Sequence, residues 1–369
     1  MKRYLLIAAT LLTAVAAPAQ VREMVAFLNG VQETPATTST AVGTARFTVD
    51  VPGSKLYYFL DFAGLSTTET AAHIHGPADP GTSASAVFGL ALGTPKSGNV
   101  TLTPTQLSDI LAGRYYVNVH STLVPAGEIR GQIVTHVAAI DGAQEPSAST
   151  ATGYGLMTLD RTTNVLSYFI SSTIPLVSQS AAHFHGDALH SQSASPIVTL
   201  PLTEPKVSSA TLTALQVTSL DAGKWYINIH TGTFPGGEIR GQVVRRLTTL
   251  NGQQEPTAST ARGYGMFSQD TAGNLLGYYM TYAGLSSAET AAHFHSPGAR
   301  GATASPVFTL PAGSPKLGLW SHTATDATNL ANGNVYVNVH TSLFTGGEIR
   351  GQLDAPIAVP ASIGDWDLY

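Results

Sequence analysis

The chain of 369 residues carries little charge, since only 11% of its residues are charged against about 25% in an average globular protein. This shortage argues against long solvated helices, which need Glu, Lys and Arg on their exposed faces. An apolar fraction of 43% and a net charge of −5 argue against disorder and against nucleic-acid binding. Cysteine is absent, which excludes disulfides, thiol chemistry and Cys-ligated zinc.

The first nineteen residues, 1–19, have the pattern of a secretory signal peptide. Lys2-Arg3 supplies the positive start, Leu5 to Ala16 form a short apolar run, and Ala17-Pro18-Ala19 forms a small-x-small cleavage site. The run is shorter than the about 20 residues that a membrane-spanning helix needs, and no other segment approaches that length. The sequence therefore predicts a secreted or periplasmic protein without a membrane span.

Three copies of one unit make up nearly all of the remaining chain. Ala72-His73-Ile74-His75 recurs after 110 residues and again after another 110, and two later motifs recur at the same spacing. A period of this length is too long for a solenoid and suits a domain with its own core. No Gly-, Ser- or Pro-rich spacer separates the copies, so we expect a stiff rod of three domains. The predicted divisions are 21–135, 136–246, 247–355 and a C-terminal tail, 356–369.

Within a unit, apolar and polar residues alternate with the period of a β-strand. Ala45, Phe47, Val49 and Val51 alternate with polar residues, and a turn at 52–55 leads into a return strand. About seven or eight such strands in 110 residues predict an all-β fold of three tandem β-sandwich domains.

One short helix is expected in each unit. In the first, Thr103 precedes Pro104, and Gln106 follows at the position that completes a capping box. An apolar stripe follows, and Gly113 is placed to end the helix.

Nine histidines occupy the repeated positions and are the candidate metal ligands. His73 and His75 project from one face of a strand, with Cα atoms ~6.6 Å apart, or two rises of ~3.3 Å. Asn118 and His120 share a face of a later strand, and His120 would complete a three-histidine set with one open position, which suits zinc or copper. If these sets bind metal, their ring nitrogens should lie within about 3 to 4 Å of one another, and a separation above about 8 Å would exclude one shared ion. The equivalent sets are His183, His185 and His230, and His293, His295 and His340.

A structural role for these histidines is the alternative. They could hydrogen-bond the backbone and a neighbouring carboxylate, such as Glu128 or Glu33, and so lock the sheet together. In the strand Gly127 to Gln132, Glu128 and Arg130 lie two residues apart and could pair with each other or across strands. His190, five residues after His185, is interpreted as a solvated loop residue rather than a further ligand.

The recurring motifs resemble the CHRD domain, the module named after chordin and also found in exported bacterial proteins. The matching segments are Ala72 to Ala78, Tyr116 to Ser121 and Gly127 to Gln132, with their equivalents 110 and 220 residues later. The resemblance implies an immunoglobulin-like sandwich in an extracellular setting, and it implies no catalytic activity and no functional residues. A remoter similarity to copper-zinc superoxide dismutase is confined to the His-x-His strand.

Two functional hypotheses follow. The first is an exported, non-enzymatic binding or scaffold protein whose ligand is an extracellular protein or a surface ligand. The second is a copper- or zinc-binding protein, or a metal-dependent oxidoreductase, that uses one histidine set in each repeat. The sequence contains no Gly-x-Ser-x-Gly elbow, no His-Glu-x-x-His helix and no phosphate-binding loop, which favours the first.

Overall fold

The computed structural model describes residues 21–145 and 147–359. The predicted signal peptide, 1–19, and most of the predicted tail, 360–369, lie outside these residues. Among the described residues, no helix is both long and apolar enough to cross a membrane.

Each repeat contains eight strands and one α-helix in the same order. The elements of the first repeat are β1 (Val21–Asn29), β2 (Val42–Asp50), β3 (Lys55–Ala63), β4 (Glu69–His75), β5 (Ala86–Leu90), β6 (Lys96–Thr101), α1 (Pro104–Leu111), β7 (Tyr115–Ser121) and β8 (Ile129–Ile133). Those of the second are β9 (His136–Asp141), β10 (Thr152–Asp160), β11 (Val165–Ser172), β12 (Gln179–Gly186), β13 (Pro196–Thr199), β14 (Lys206–Thr211), α2 (Ala214–Asp221), β15 (Trp225–Thr231) and β16 (Ile239–Val243). Those of the third are β17 (Arg246–Asn251), β18 (Arg262–Asp270), β19 (Leu275–Ala283), β20 (Glu289–His295), β21 (Pro306–Thr309), β22 (Lys316–Ser321), α3 (Ala324–Ala331), β23 (Tyr336–Thr341) and β24 (Ile349–Gln352).

The eight strands of a repeat form one antiparallel sheet that nearly closes into a barrel. In the first repeat the strand order is β5-β4-β7-β8-β1-β2-β3-β6. Long ladders hold each half of the sheet, whereas β1 and β8 share only the pair Asn29 and Arg130 and a bridge between Val25 and Val134. The two halves fold over this seam and enclose a core to which both contribute, including Phe47 from one half and Ile74 from the other. The all-β prediction with one short helix per repeat is confirmed.

The helix begins as its sequence predicts. Thr103 accepts a hydrogen bond from the backbone N–H of Gln106, and the Gln106 side chain accepts one from the Thr103 backbone. This reciprocal pair satisfies two amides that the first turn leaves without helical partners. The chain turns out of the helix at Gly113, whose φ of +75° favours glycine.

A fourth apolar cluster joins the three repeats. It combines Val25 and Phe27 from β1 with residues of the second repeat, among them Leu156, and of the third, among them Met266. The Phe27 ring lies 4.7 Å, centroid to centroid, from the ring of Tyr264. The prediction of a rod was therefore wrong, because a rod would leave these side chains in water, whereas the three repeats pack around a shared core.

Polar contacts tie the third repeat to both of the others. Asp61 of the first repeat accepts hydrogen bonds from Asn251 at 2.8 Å and from Gln254 at 3.1 Å. Tyr279 of the third repeat donates to Asp141 of the second at 2.6 Å. Each repeat therefore contacts the other two.

Candidate functional site

The candidate site lies on the outer face of two paired strands, β4 and β7. Ile74, Val117 and Val119 are fully buried in the core beneath these strands. Because side chains alternate along a strand, their neighbours His73, His75 and His120 project from the opposite face. The equivalent sets lie on the paired strands β12 and β15 in the second repeat and on β20 and β23 in the third.

The three histidines of each set converge. In every repeat, one nitrogen from each ring lies within 4.8 Å of those from the other two. Nδ1 of His73 hydrogen-bonds Nε2 of His120 at 3.1 Å, and Nδ1 of His183 hydrogen-bonds Nε2 of His230 at 3.3 Å. The sets are thus far inside the 8 Å limit set by one shared ion.

Backbone carbonyls orient two rings of each set. Nδ1 of His75 lies 3.0 Å from the carbonyl oxygen of Ala84, and Nδ1 of His120 lies 3.0 Å from that of Pro125. A carbonyl only accepts, so each Nδ1 carries the proton and each Nε2 presents a lone pair. The equivalent bonds join His185 to Ala194, His230 to Pro235, His295 to Ala304 and His340 to Thr345.

Several of these presented nitrogens are buried without a partner. Nε2 of His75, of His185 and of His295 has no hydrogen-bond partner among the described residues. In the third repeat the same holds for Nδ1 of His293 and Nε2 of His340. Buried polar atoms are seldom left unsatisfied, and an ion or a water is a common explanation when they are.

Burial also favours the neutral form, which a metal ligand requires, in several histidines of the sets. Burial lowers the pKa of His75 and of His120, although the carbonyl bonds oppose the shift. Burial likewise lowers the pKa of His185 and of His295. A neutral imidazole keeps the lone pair that binds a cation.

An aromatic ring and a guanidinium group stack behind one histidine of each set. The ring of Tyr116 stacks on the ring of His75, and the guanidinium of Arg130 lies 3.5 Å from the other face of Tyr116. The same stack recurs at Arg240 with Tyr226 and at Arg350 with Tyr336, at 3.6 and 3.5 Å. The segment Gly127 to Gln132, which recurs in all three repeats, therefore reaches the site through the contact of Arg130 with Tyr116.

Among the described residues, neither candidate carboxylate, Glu128 or Glu33, hydrogen-bonds a histidine of the set. Glu128 accepts hydrogen bonds from Ser39 at 2.6 Å and from the Ser66 amide at 2.7 Å, while Arg130 donates to the carbonyl oxygen of Thr82. Glu128 and Arg130 therefore do not pair with each other, whereas the equivalent arginines Arg240 and Arg350 lie 4.0 and 3.8 Å from Glu145 and Glu255 of a neighbouring segment.

Glu33 reaches the site through an amide. Its carboxylate accepts hydrogen bonds from Nδ2 of Asn118 at 3.0 and 3.1 Å. Burial raises the pKa of Glu33 to about 7, against the opposing effects of Arg130 and Asn118. Glu33 therefore contacts Asn118, the residue that shares a strand face with the histidines.

The remaining described histidines belong to other contacts. His190 is 1% exposed and hydrogen-bonds Ser268 of the third repeat at 2.8 Å, so its interpretation as a solvated loop residue was wrong. His136 hydrogen-bonds Asp221 at the junction of the first two repeats, and His322 contacts the carbonyl oxygen of Thr323.

The comparison with protein families decides the identity of the repeats. The family model of the CHRD domain matches residues 24–133, 137–243 and 247–353. The chain belongs to the CHRD family. A search of curated proteins found no match. A search of solved structures found none either.

Reasoning from the sequence missed the groups that orient the CHRD histidines. The Ala84 and Pro125 carbonyls give no side-chain signal, since any residue supplies a carbonyl. Tyr116 did carry a signal, because Tyr116 and His120 lie on the same face of one strand and both recur in all three repeats.

Proposed function

We propose that this CHRD protein is an exported, non-enzymatic binding protein that holds one zinc or copper ion in each of its three histidine sets. The observation that carries the proposal is the buried Nε2 of His75, which has no partner within residues 21–145 and 147–359 and which has an equivalent in each repeat. The Nδ1–H of His75 donates to a carbonyl oxygen, so its Nε2 carries a lone pair and can only accept. A cation is the simplest group that satisfies this lone pair.

The donor set fits these two metals better than others. Three neutral imidazoles without a thiolate suit zinc and copper, whereas magnesium and calcium prefer oxygen. Two nitrogens bound to one tetrahedral ion at ~2.0–2.1 Å lie ~3.3–3.4 Å apart. The separations of 3.1 and 3.3 Å between His73 and His120 and between His183 and His230 are close to this value.

Two further observations support the remaining parts of the proposal. The pattern of residues 1–19 supports export. The sequence has no motif of the common hydrolases or phosphate-binding enzymes, and no catalytic role is inferred from the CHRD family, which together support a binding role.

Metal analysis of tag-free protein tests the proposal. After incubation with zinc or copper and removal of free metal, we expect about three equivalents per chain, one per complete ligand set. Replacing His75 by Phe keeps a ring on Tyr116 but removes the nitrogens, so this variant should retain two equivalents. His322→Gln, outside the sets, is the matched control and should retain all three.

The opposite outcome would support the structural alternative. If the protein retains less than half an equivalent, and His75→Phe and His322→Gln behave alike while circular dichroism shows both folded, the histidines only fasten the strands. The function would then be that of a scaffold whose ligand binds elsewhere.

A further inference from the structure

Asn118 lies beside the histidine set on the same strand face. In the ladder between β4 and β7 it pairs directly with His73, and the neighbouring pair joins His75 to Tyr116. It also precedes His120 by two residues and shares its strand face. Side chains that are paired, diagonal or two apart on one face lie within contact reach, so Asn118 neighbours all three histidines.

The two ends of the Asn118 amide have different surroundings. Nδ2 donates to the Glu33 carboxylate, which fixes the orientation of the amide. The residue is 3% exposed, and its Oδ1 is buried without a hydrogen-bond partner. A Cβ at Gly127 would collide with this amide, so the glycine allows the loop to pack closely against it.

The same arrangement occurs in the other two repeats. Asn228 pairs with His183, and Asn338 pairs with His293. The amide of Asn228 donates to Glu145 at 2.9 Å, that of Asn338 donates to Glu255 at 3.1 Å, and the Oδ1 atoms of both are buried without a partner. A buried acceptor left unsatisfied is destabilising, so the same loss in three repeats points to a donor that all three sites share.

We infer that the fourth position of each metal site holds a protic ligand, water in the resting protein, which donates a hydrogen bond to the Asn118 oxygen or its equivalent. This inference rests on the proposed metal binding. Three imidazoles leave one position of a tetrahedral ion open. A water there would satisfy the orphaned oxygen, whereas direct binding by the amide oxygen suits zinc and copper less well than nitrogen does.

The arrangement selects the class of exchangeable ligand. Small ligands that carry a proton, such as water or an alcohol, keep the hydrogen bond to Asn118. Aprotic anions such as azide lose it and face the oxygen lone pair instead. One hydrogen bond is worth about a factor of ten in binding, so Asn118 should disfavour azide by about tenfold relative to water.

The test uses the full chain with one intact site. The double variant His185→Phe, His295→Phe retains only the first set and is loaded with Cu(II). Pulsed electron paramagnetic resonance in H₂O and in D₂O then reports whether a strongly coupled exchangeable proton sits on the fourth ligand, closer to the copper than the remote N–H protons of the histidine rings, and azide is titrated optically. Asn118→Ala is added to this background, with Asn99→Ala as the matched control, because Asn99 is an exposed residue of β6 outside the histidine sets.

We expect this proton in the single-site protein and azide affinity about tenfold higher after Asn118→Ala, but unchanged after Asn99→Ala. If copper binds without an exchangeable proton on its fourth ligand, or if the azide affinity does not depend on Asn118, this inference is wrong. The proposed metal binding would still hold in either case. Failure of this variant to bind either copper or zinc refutes the proposed function instead. If Asn118→Ala does not fold, the inference is decided by comparing the spectra of the single-site protein with Asn118 in H₂O and in D₂O.

Discussion

The ring of His75 lies flat against the ring of Tyr116, with centroids 4.8 Å apart and 7° between the planes. The two side chains also share one acceptor, since the Tyr116 hydroxyl and Nδ1 of His75 both donate to the carbonyl oxygen of Ala84. Tyr116 is therefore a positioning residue that fixes both the plane of the imidazole and the carbonyl that sets its tautomer.

Removing this support should weaken metal binding without unfolding the protein. Tyr116→Leu abolishes the stack and the shared hydrogen bond, and we expect a loss of about 10- to 100-fold in metal affinity at the first site, as is typical for outer partners of metal ligands. Tyr116→Phe keeps the stack and should lose less metal affinity. Competition with a chromophoric chelator measures both, in protein whose other two sites carry His→Phe substitutions. Equal affinities in all three proteins would contradict the role assigned to Tyr116.

The contact between the first and third repeats should depend on one buried carboxylate. Asp61 is 2% exposed and accepts from Thr94, Asn251 and Gln254. Asp61→Ala removes the acceptor of Asn251 and one of the two acceptors of Gln254, so we expect the free energy of unfolding to fall by about 2–4 kcal/mol. Ser171→Ala, at the equivalent position of the second repeat, should change it by less than about 0.5 kcal/mol. Urea unfolding measures both, and equal effects would refute the assignment.

Acid should destabilise the junctions between repeats through Asp221. This residue hydrogen-bonds His136 at the first junction, Arg161, and Arg245 at the second. Burial alone would raise its pKa, but the bonds from His136 and Arg161 outweigh burial and lower the pKa to about 2. A carboxyl with a lowered pKa stabilises the fold above its unfolded pKa near 4, and this contribution is lost as pH falls toward 2.

The matching variant is Asp221→Asn. It should remove up to about 2 kcal/mol of stability at pH 7 and flatten the decline in stability between pH 4 and pH 2. Urea unfolding at a series of pH values measures the decline. An unchanged slope in the variant would show that other groups cause the acid sensitivity.

The shared core should make unfolding of the three repeats cooperative. Phe27 is 4% exposed and contacts the third repeat from the first. Phe27→Ala should cost about 3–5 kcal/mol, as for other buried phenylalanines. Leu123→Ala, on a side chain that is 66% exposed, should change stability by less than about 0.5 kcal/mol. Calorimetry of the wild type should show one transition, and three separate transitions would contradict a common core.

Much of the fold could be predicted because its signals are local. The alternation in β2 and the capping box from Thr103 to Gln106 depend only on neighbours in the sequence. The convergence of His73, His75 and His120 followed from the apolar residues beside them, which had to face a core.

The arrangement of the repeats was not predicted, although part of its signal is visible. Residues 24–28 are apolar without interruption, which is typical of a strand buried on both faces. Met24, Ala26 and Leu28 face the core of the first repeat, and Val25 and Phe27 face the shared core. Strand periodicity shows that a second face is covered, but it does not show which repeat covers it.

The segment that follows β24 returns to the first repeat. Arg46 donates to the carbonyl oxygen of Ala355, and Thr48 donates to that of Ile357 at 2.9 Å. Thr48 is also the ladder partner of Glu23 near the start of β1. The beginning of the first repeat and the end of the third therefore meet at one residue. A circular permutant that joins residue 357 to residue 21 through a short linker, and opens the chain at the junction near Thr135, should fold into the same three-repeat body with all nine histidines in place.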